Sequence, residues 1–267
     1  MLEAAVATRP VSPEPYATFA RRHLETGQAG PALAVTSQGL ARFPADTALL
    51  AAQAVAAAAA GDTGISAILL DFDRLLSRIY VAAPTGWKFV SAFNAALADH
   101  VRNHPLIEFA PPEHATRDGY HTGELLLEPM GPIVGLEELI RSAVDTYRDD
   151  HPLESAHPFL ARFGLNIWSI ILQQAGHQVP HIHSAAWLSG VYYPQLPPVI
   201  GEDDQAGWIE FGQPPEQIAC GRDPDVLLIR PKEGLMLLFP SYMYHRTIPF
   251  SGDGTRISIA FDVSLVS

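Results

Sequence analysis

The spacing of apolar residues divides the chain into a helical first part and a strand-rich last part. Between Tyr16 and Leu24, apolar residues recur at the three- and four-residue intervals of one helix face, and Gly27 is placed to end that helix. A second helix is predicted over residues 29–42. A third helix, rich in alanine, follows a Pro-Ala-Asp break and runs to Ala60. The first 60 residues therefore indicate a set of short helices.

This succession of helix, turn, helix, Pro-Ala-Asp and helix resembles one and a half tetratricopeptide-type repeats. Stable solenoids need about three repeats, so we expect a helical N-terminal segment packed on the main domain rather than a free-standing peptide-binding repeat. We place this tetratricopeptide-like segment at residues 1–65 and the main domain at residues 66–267. The residues predicted to share one face of the second helix are Leu33, Ser37, Leu40 and Ala41.

Beyond residue 70 the pattern is mixed and then changes to strands. Helical spacing marks residues 93–101 and 135–150. After Pro152, short runs of β-branched and aromatic residues alternate with clusters of Gly, Pro and Asp. The six strands predicted in this way cover residues 166–173, 188–193, 208–211, 226–230, 235–239 and 256–263. Short strands without intervening helices indicate an antiparallel sandwich or barrel, so the predicted fold class is α+β, mainly β with N-terminal helices.

Composition and charge narrow the choice of partners. Of the 267 residues, 48% are hydrophobic, and 29 acidic residues against 17 basic ones give a net charge of -12. An acidic surface repels the phosphates of nucleic acids and of anionic membranes, so neither is an expected partner. The single cysteine, Cys220, excludes an internal disulfide framework. Because we find no signal peptide and no apolar run long enough to span a bilayer, we expect a cytoplasmic protein, with homo-oligomerisation left open.

Two closely spaced histidines are the first candidate for chemistry. They are His181 and His183, in the sequence Pro-His-Ile-His. In extended backbone, residues two apart point to the same face, so both imidazoles can aim at one point. Imidazole suits iron, zinc, copper and nickel. Taken alone, the pair could equally be two surface histidines at the edge of a loop.

A second group of residues follows about sixty positions later. An apolar strand ends at Pro240, and His245 comes directly after the turn. On the last predicted strand, Arg256, Ser258 and Ala260 share one face by alternation. An arginine that points into a barrel needs an anion, because burying it unpaired costs several kcal/mol. A ligand carboxylate would supply that anion, and the alternative is a local acid such as Asp253.

These spaced blocks together resemble the iron(II)- and 2-oxoglutarate-dependent oxygenases, and in particular a bacterial and phage branch of that superfamily. The blocks are Pro-His-Ile-His-x-x-x-Trp-Leu-Ser-Gly-Val-Tyr-Tyr, Gly-x-x-Leu-Leu-Phe-Pro-Ser-x-x-x-His and Thr-Arg-Ile-Ser-Ile-Ala-Phe-Asp. The resemblance covers roughly residues 165–263, and the N-terminal helices lie outside it.

The resemblance implies a double-stranded β-helix, the jelly roll of two antiparallel sheets, with iron(II) at its mouth and 2-oxoglutarate as co-substrate. By position, His181 matches the first metal ligand and His245 the distal ligand. Arg256 matches the basic residue that binds the far carboxylate of 2-oxoglutarate. His183 stands where the family usually has Asp or Glu, which leaves the site one negative charge short. Three-histidine iron sites exist in other jelly-roll dioxygenases, so the implied ligand set is all three histidines, with no catalytic residue beyond them.

The resulting prediction is an oxidoreductase that uses O₂ to hydroxylate an unidentified small-molecule or protein substrate. Two other functions stay open from the sequence. One is a three-histidine, cupin-like metalloenzyme that does not use 2-oxoglutarate, with Arg256 paired to a protein carboxylate or to substrate. The other is a non-catalytic jelly-roll module whose metal is structural. Acidic residues in the loops at 195–204 and 213–225 hint at a cationic or protein substrate.

Other polar and aromatic residues have weaker claims. His177 is expected to cap a strand end or bind water, and Cys220 has no nearby base. One residue of the pair Tyr192 and Tyr193 should face the barrel interior by alternation. The tryptophans at 168 and 187 are expected in the core or at its rim. The histidines expected to be solvated are His100, His104, His114, His121, His151 and His157.

Overall fold

The computed structural model describes residues 10–112, 114–127, 130–151, 162–201, 204–219 and 224–265. Helices dominate the first 150 positions, and antiparallel strands dominate the rest, as the apolar pattern predicts. The described helices are α1 (Glu14–Glu25), α2 (Ala29–Leu40), α3 (Thr47–Ala60), α4 (Thr63–Leu69), α5 (Phe72–Leu75), α6 (Val90–Arg102) and α7 (Pro132–Asp150). None of them combines the length and the apolar composition that crossing a membrane requires. The cytoplasmic location and the oligomeric state stay predictions.

Capping residues set the ends of helix α3. The Asp46 side chain accepts a hydrogen bond from the backbone N–H of Leu49 at 2.8 Å, which satisfies a donor in the first turn. Gly61 follows the last turn with a φ of 73°, a left-handed conformation that glycine adopts without strain. The break before this helix and its end near residue 60 are therefore confirmed, and both have local causes.

The face of α2 that carries Leu33, Ser37, Leu40 and Ala41 is not the one that this helix buries. Leu33 and Leu40 are only partly buried, and Ser37 and Ala41 are exposed. A Cβ on Gly39 would lie 2.8 Å from the Leu49 side chain, so this helix packs through its smallest residues and approaches its neighbours closely. The residues that α2 buries are Ala32, Val35, Thr36 and Gly39.

The N-terminal helices pack directly on the strand-rich part of the chain. Thr47, at the start of α3, donates a buried hydrogen bond of 2.8 Å to the carbonyl of Ala186. Leu50 and Ala51 of the same helix share a hydrophobic core with Tyr242 and with residues of both sheets. The tetratricopeptide-like character of these helices and the domain boundary at residue 65 stay predictions.

Two antiparallel sheets form the main domain. The larger has seven strands in the order β1-β8-β5-β10-β4-β3-β2, and the smaller has three in the order β7-β6-β9. All six predicted strands are present, and four short or irregular ones (β1, β2, β3 and β9) were not predicted. The described strands are β1 (Ser77–Tyr80), β2 (Ile107–Phe109), β3 (Thr116–Thr122), β4 (Phe163–Gln178), β5 (Leu188–Gln195), β6 (Ile209–Phe211), β7 (Leu227–Ile229), β8 (Leu235–Pro240), β9 (His245–Thr247) and β10 (Arg256–Leu265).

Strand β10 lies at the centre of the larger sheet and separates two environments. Ile257 and Ile259 are fully buried in the core that the sheet shares with α6 and α7. Arg256 and Ser258 project from the other face, toward an internal cavity. The alternation predicted for this strand is therefore confirmed. Gly190 of β5 faces Phe261 in the sheet, and a Cβ there would lie 2.1 Å from the ring, so this position requires glycine.

Candidate metal centre

Three histidines from distant parts of the chain meet at the wall of the internal cavity. His181 pairs with His245 of β9 through two backbone hydrogen bonds of 3.1 Å each. The backbone N–H of His183 donates to the carbonyl of Ser241, also at 3.1 Å. One ring nitrogen of each histidine lies within 4.8 Å of those of the other two. The structure thus brings together all three histidines that the sequence singled out.

Hydrogen bonds fix which nitrogen of each imidazole is free. In all three rings Nδ1 faces an oxygen that can only accept a hydrogen bond, so Nδ1 must carry the proton. In the neutral imidazole this leaves the Nε2 lone pair available to a metal ion. The three acceptors are the Val179 carbonyl for His181 (2.8 Å), the Met243 carbonyl for His245 (3.0 Å) and the Asp262 carboxylate for His183 (2.6 Å).

Burial keeps two of the three imidazoles neutral. Desolvation, with a smaller effect of the neighbouring His183, lowers the pKa of His181 to about 4. Desolvation also holds the pKa of His245 well below its ordinary value, with added effects from the other two histidines. The ring of Phe239 packs edge-on against His245, with ring centroids 4.8 Å apart. Neutral, fixed imidazoles are the form in which histidine binds a metal.

Arg256 is buried near the same histidines without an acidic partner. Only 1% of its surface is exposed, and its charge is therefore costly unless an anion meets it. Its Nε donates to the Gly207 carbonyl at 3.2 Å and its Nη1 to the Ser258 hydroxyl at 3.1 Å, which uses two of five N–H donors. Within the described part of the chain, no carboxylate lies at ion-pair distance, and Asp253 is exposed instead. Burial lowers the pKa of Arg256.

Tyr193 is the member of the tyrosine pair that faces inward. The guanidinium carbon of Arg256 lies 5.1 Å from the centre of its ring. Its hydroxyl is buried beside the guanidinium, and no atom of the described residues meets hydrogen-bond geometry with it. Burial raises the pKa of Tyr193 to about 12, an effect that Arg256 partly offsets. The hydroxyl therefore stays protonated and offers a donor to the cavity. Tyr192 points the other way and bonds to Asn94.

An open cleft of about 1080 Å³ borders two of the candidate metal ligands, His181 and His183. The cleft and the internal cavity share Trp168, Gln178, His181 and His183, so these side chains separate the two spaces. The Trp168 ring stacks on His183, with ring centroids 5.6 Å apart and an interplanar angle of 26°. Trp168 thus lies at the rim, as expected, and one of its faces covers a candidate ligand.

The expectation that His114 and His121 are solvated is wrong for His121. It lies on β3, a strand that the sequence pattern did not predict, and it lines the cleft beside Trp168. A ring nitrogen of His114 lies 3.1 Å from one of His121. Burial, with a smaller effect of His114, lowers the pKa of His121 to about 4.

Asp262 is the residue of the site that sequence reasoning missed. It follows Ala260 by two positions, so the alternation that placed Arg256 on the inner face also places Asp262 there. From the sequence it is named only as the last residue of the motif Thr-Arg-Ile-Ser-Ile-Ala-Phe-Asp. His177 lies outside the histidine cluster, and its Nδ1 is 3.1 Å from the Ala175 carbonyl. The residues named from the sequence that lie outside the described part of the chain include His157 and Cys220.

Comparisons with known proteins agree with this geometry. Residues 166–262 match the family described as "Putative 2OG-Fe(II) oxygenase". No curated protein matches the chain. The matched segment contains His181, His183, His245, Arg256 and Asp262.

Solved structures show the same fold at low sequence identity. A prolyl-4-hydroxylase from Pseudomonas putida is 12% identical over 76% of this chain and 99% of that one, with a TM-score of 0.50. A prolyl hydroxylase from Trichoplax adhaerens, solved with a hypoxia-inducible-factor peptide, is 13% identical over 73% and 86%, with a TM-score of 0.50. The α-ketoglutarate-dependent epimerase SnoN of nogalamycin biosynthesis is 12% identical over 72% and 80%, with a TM-score of 0.51.

The family match and the fold are both consistent with the histidine geometry. Antiparallel sheets preceded by helices match the β-sandwich of these oxygenases. The family match spans the segment that contains the three histidines and the buried arginine. Residues 166–262 are thus similar to the 2OG-Fe(II) oxygenases, a family of oxidoreductases that uses iron(II), 2-oxoglutarate and O₂, and the solved structures show the same fold.

Proposed function

We propose that this protein is an iron(II)- and 2-oxoglutarate-dependent dioxygenase that hydroxylates a C–H bond of a substrate bound in the open cleft. One observation carries the proposal. Three imidazoles, each with Nδ1 engaged and Nε2 free, line a cavity that also contains a buried arginine to which no described residue offers a carboxylate. A metal ion would use the three free imidazole nitrogens, and a dicarboxylate would bring a carboxylate to the buried arginine.

The three histidines are the proposed metal ligands. Neutral imidazole nitrogen suits iron(II), and three protein ligands leave positions open for further groups. Iron(II), when bound together with 2-oxoglutarate and O₂, supplies the oxidising chemistry for C–H hydroxylation. The protein's own part is to hold the ligands in orientation, seat the co-substrate and exclude water from the cavity.

Arg256 and Tyr193 are the proposed seat of the far carboxylate of 2-oxoglutarate. The guanidinium has N–H donors left over, and the tyrosine hydroxyl has no partner among the described residues. A carboxylate placed between them would compensate the buried charge through charge-assisted hydrogen bonds. The cavity has only about 20 Å³ of space open to a water-sized sphere. A five-carbon diacid therefore requires side chains at the mouth, such as Gln178, to move aside as it enters.

The test is an anaerobic titration of the iron(II)-loaded protein with 2-oxoglutarate. A 2-oxo acid that chelates iron(II) gives a visible charge-transfer band, and we expect that band to grow to saturation at one equivalent. Tight iron binding without the band would contradict the proposal and favour the cupin-like alternative. Succinate, which lacks the 2-oxo group, is the matched control and should give no band.

A further inference from the structure

Asp262 is the only carboxylate of the described residues that hydrogen-bonds to one of the three histidines. His181 and His245 both use backbone carbonyls as Nδ1 acceptors. His183 instead donates to Asp262 Oδ1 at 2.6 Å, a short distance typical of a hydrogen bond to a charged acceptor. The orientation of His183 is therefore the one that depends on another side chain.

The Asp262 carboxylate is itself held in place from the neighbouring strand. Ser189 lies directly opposite Asp262 in the pairing of β5 with β10. Its hydroxyl donates to the same Oδ1 at 2.7 Å, and it lies 2.8 Å from the Ser241 hydroxyl. Ser189 and Ser241 are fully buried. Because two donors meet the same carboxylate oxygen, the position of Asp262 is defined before any ion arrives.

The charge of the site supports a role for this carboxylate. The usual ligand set of the family has one carboxylate, whereas three neutral imidazoles contribute no charge. The Asp262 carboxylate is hydrogen-bonded to Nδ1 of His183, and Nε2 of the same ring is the proposed metal ligand. A carboxylate behind a ligand histidine fixes its tautomer and makes the ring a stronger electron donor.

We propose that Asp262 is a positioning residue for the metal, acting through His183, and that it supplies the negative charge that the His-x-His motif lacks. The proposal rests on the metal site proposed above. It also explains how His183 can stand at a position usually held by Asp or Glu: the carboxylate has moved from the ligand itself to the residue behind it.

The test measures binding of cobalt(II) to the metal-free full-length protein by calorimetry. Asp262→Ala should weaken binding about 10- to 100-fold, the usual cost of losing such a partner. Asp262→Asn keeps an acceptor oxygen of the same shape but loses the charge, so it should fall between wild type and the alanine variant. Asp253→Asn makes the same chemical change at an exposed position and should bind cobalt(II) as wild type does.

A double-mutant cycle separates action through His183 from a general structural effect. In the His183→Ala background, Asp262→Asn should cause no further loss of cobalt(II) affinity, because its route to the ion is gone. An equal loss in both backgrounds would overturn the proposal. The proposal would also be overturned if His183→Ala bound cobalt(II) as tightly as wild type while Asp262→Ala lost affinity for it. Asp262 would then be the ligand.

His181→Ala distinguishes failure of this inference from failure of the metal site. If His181→Ala loses cobalt(II) while both Asp262 variants bind as wild type does, the metal site stands and only the role of Asp262 is wrong. If His181→Ala binds at wild-type strength, the metal site itself is wrong. Should the alanine variant of Asp262 not fold, the asparagine variant, which matches the shape of Asp262, decides the question.

Discussion

Replacing Arg256 tests the proposed co-substrate site most directly, because this side chain lies in the cavity but is not a candidate metal ligand. Its Nε and Nη1 are anchored by Gly207 and Ser258, which orients the remaining donors into the cavity. Arg256→Lys keeps the positive charge but concentrates three donors on one atom. A lysine therefore cannot hold these two acceptors and also bind a carboxylate through two parallel hydrogen bonds.

The expected loss follows from the number of hydrogen bonds. One hydrogen bond to a charged group contributes about 1.5–3 kcal/mol. Since about 1.4 kcal/mol is a factor of ten, Arg256→Lys should weaken 2-oxoglutarate binding roughly 10- to 100-fold. Arg256→Met removes the charge as well and should weaken it further. Iron(II) affinity should stay near the wild-type value in both variants.

The assay is the anaerobic iron(II) titration followed at the visible band, with thermal unfolding of the metal-free protein as the control. Arg256→Met gives up two hydrogen bonds, each contributing about 1 kcal/mol, but it also removes a buried charge without an anion. Its stability should therefore stay within about 2 kcal/mol of wild type. Unchanged 2-oxoglutarate affinity in both variants would refute the reasoning. So would unfolding of Arg256→Met, because the arginine would then have a structural acid as its partner.

Four further substitutions probe the rest of the site. His181→Ala and His245→Ala should each abolish iron binding and leave the fold intact, and wild-type metal content in either variant would remove that residue from the ligand set. His183→Asp should still bind iron(II) and still give the 2-oxoglutarate band, whereas complete loss of metal would show that the pocket requires an imidazole. Tyr193→Phe should weaken 2-oxoglutarate binding about tenfold, the value of one hydrogen bond to a charged group. The melting temperature should change little, because the hydroxyl makes no hydrogen bond of good geometry within the described residues. An unchanged affinity would place the carboxylate elsewhere.

The elements that the sequence predicted correctly are those whose pattern is local. The inward and outward faces of β10 followed from simple alternation, and the ends of α3 followed from Asp46 and Gly61. Helical periodicity groups Leu33 and Leu40 on one face of α2, but it does not show which face the helix buries. Gly39 instead allows the close approach of Leu49, and closeness of packing depends on a partner helix that periodicity alone does not show.

Strands β2, β3 and β9 were missed because their stability comes from their partners. β9 has only three residues, and β2 is exposed along its whole length. In β3, Asp118 has a φ of 51° and the pairing with β4 shifts register beside it, so no regular alternation marks this strand. Missing β3 also led to the wrong expectation for His121, since the strand is what places this histidine at the cleft.

The candidate site shows the same division between local and long-range information. His181, His183, His245 and Arg256 could be named because residue type and spacing are visible in the chain. The apparent deficit of one negative charge at His183 could not be resolved in that way, because charge balance belongs to the folded site. Asp262 lies 79 residues further along the chain and meets His183 only through strand pairing. A substitution within a ligand motif should therefore be judged together with the side chains that hydrogen-bond to it, since these can restore the charge that the motif has lost.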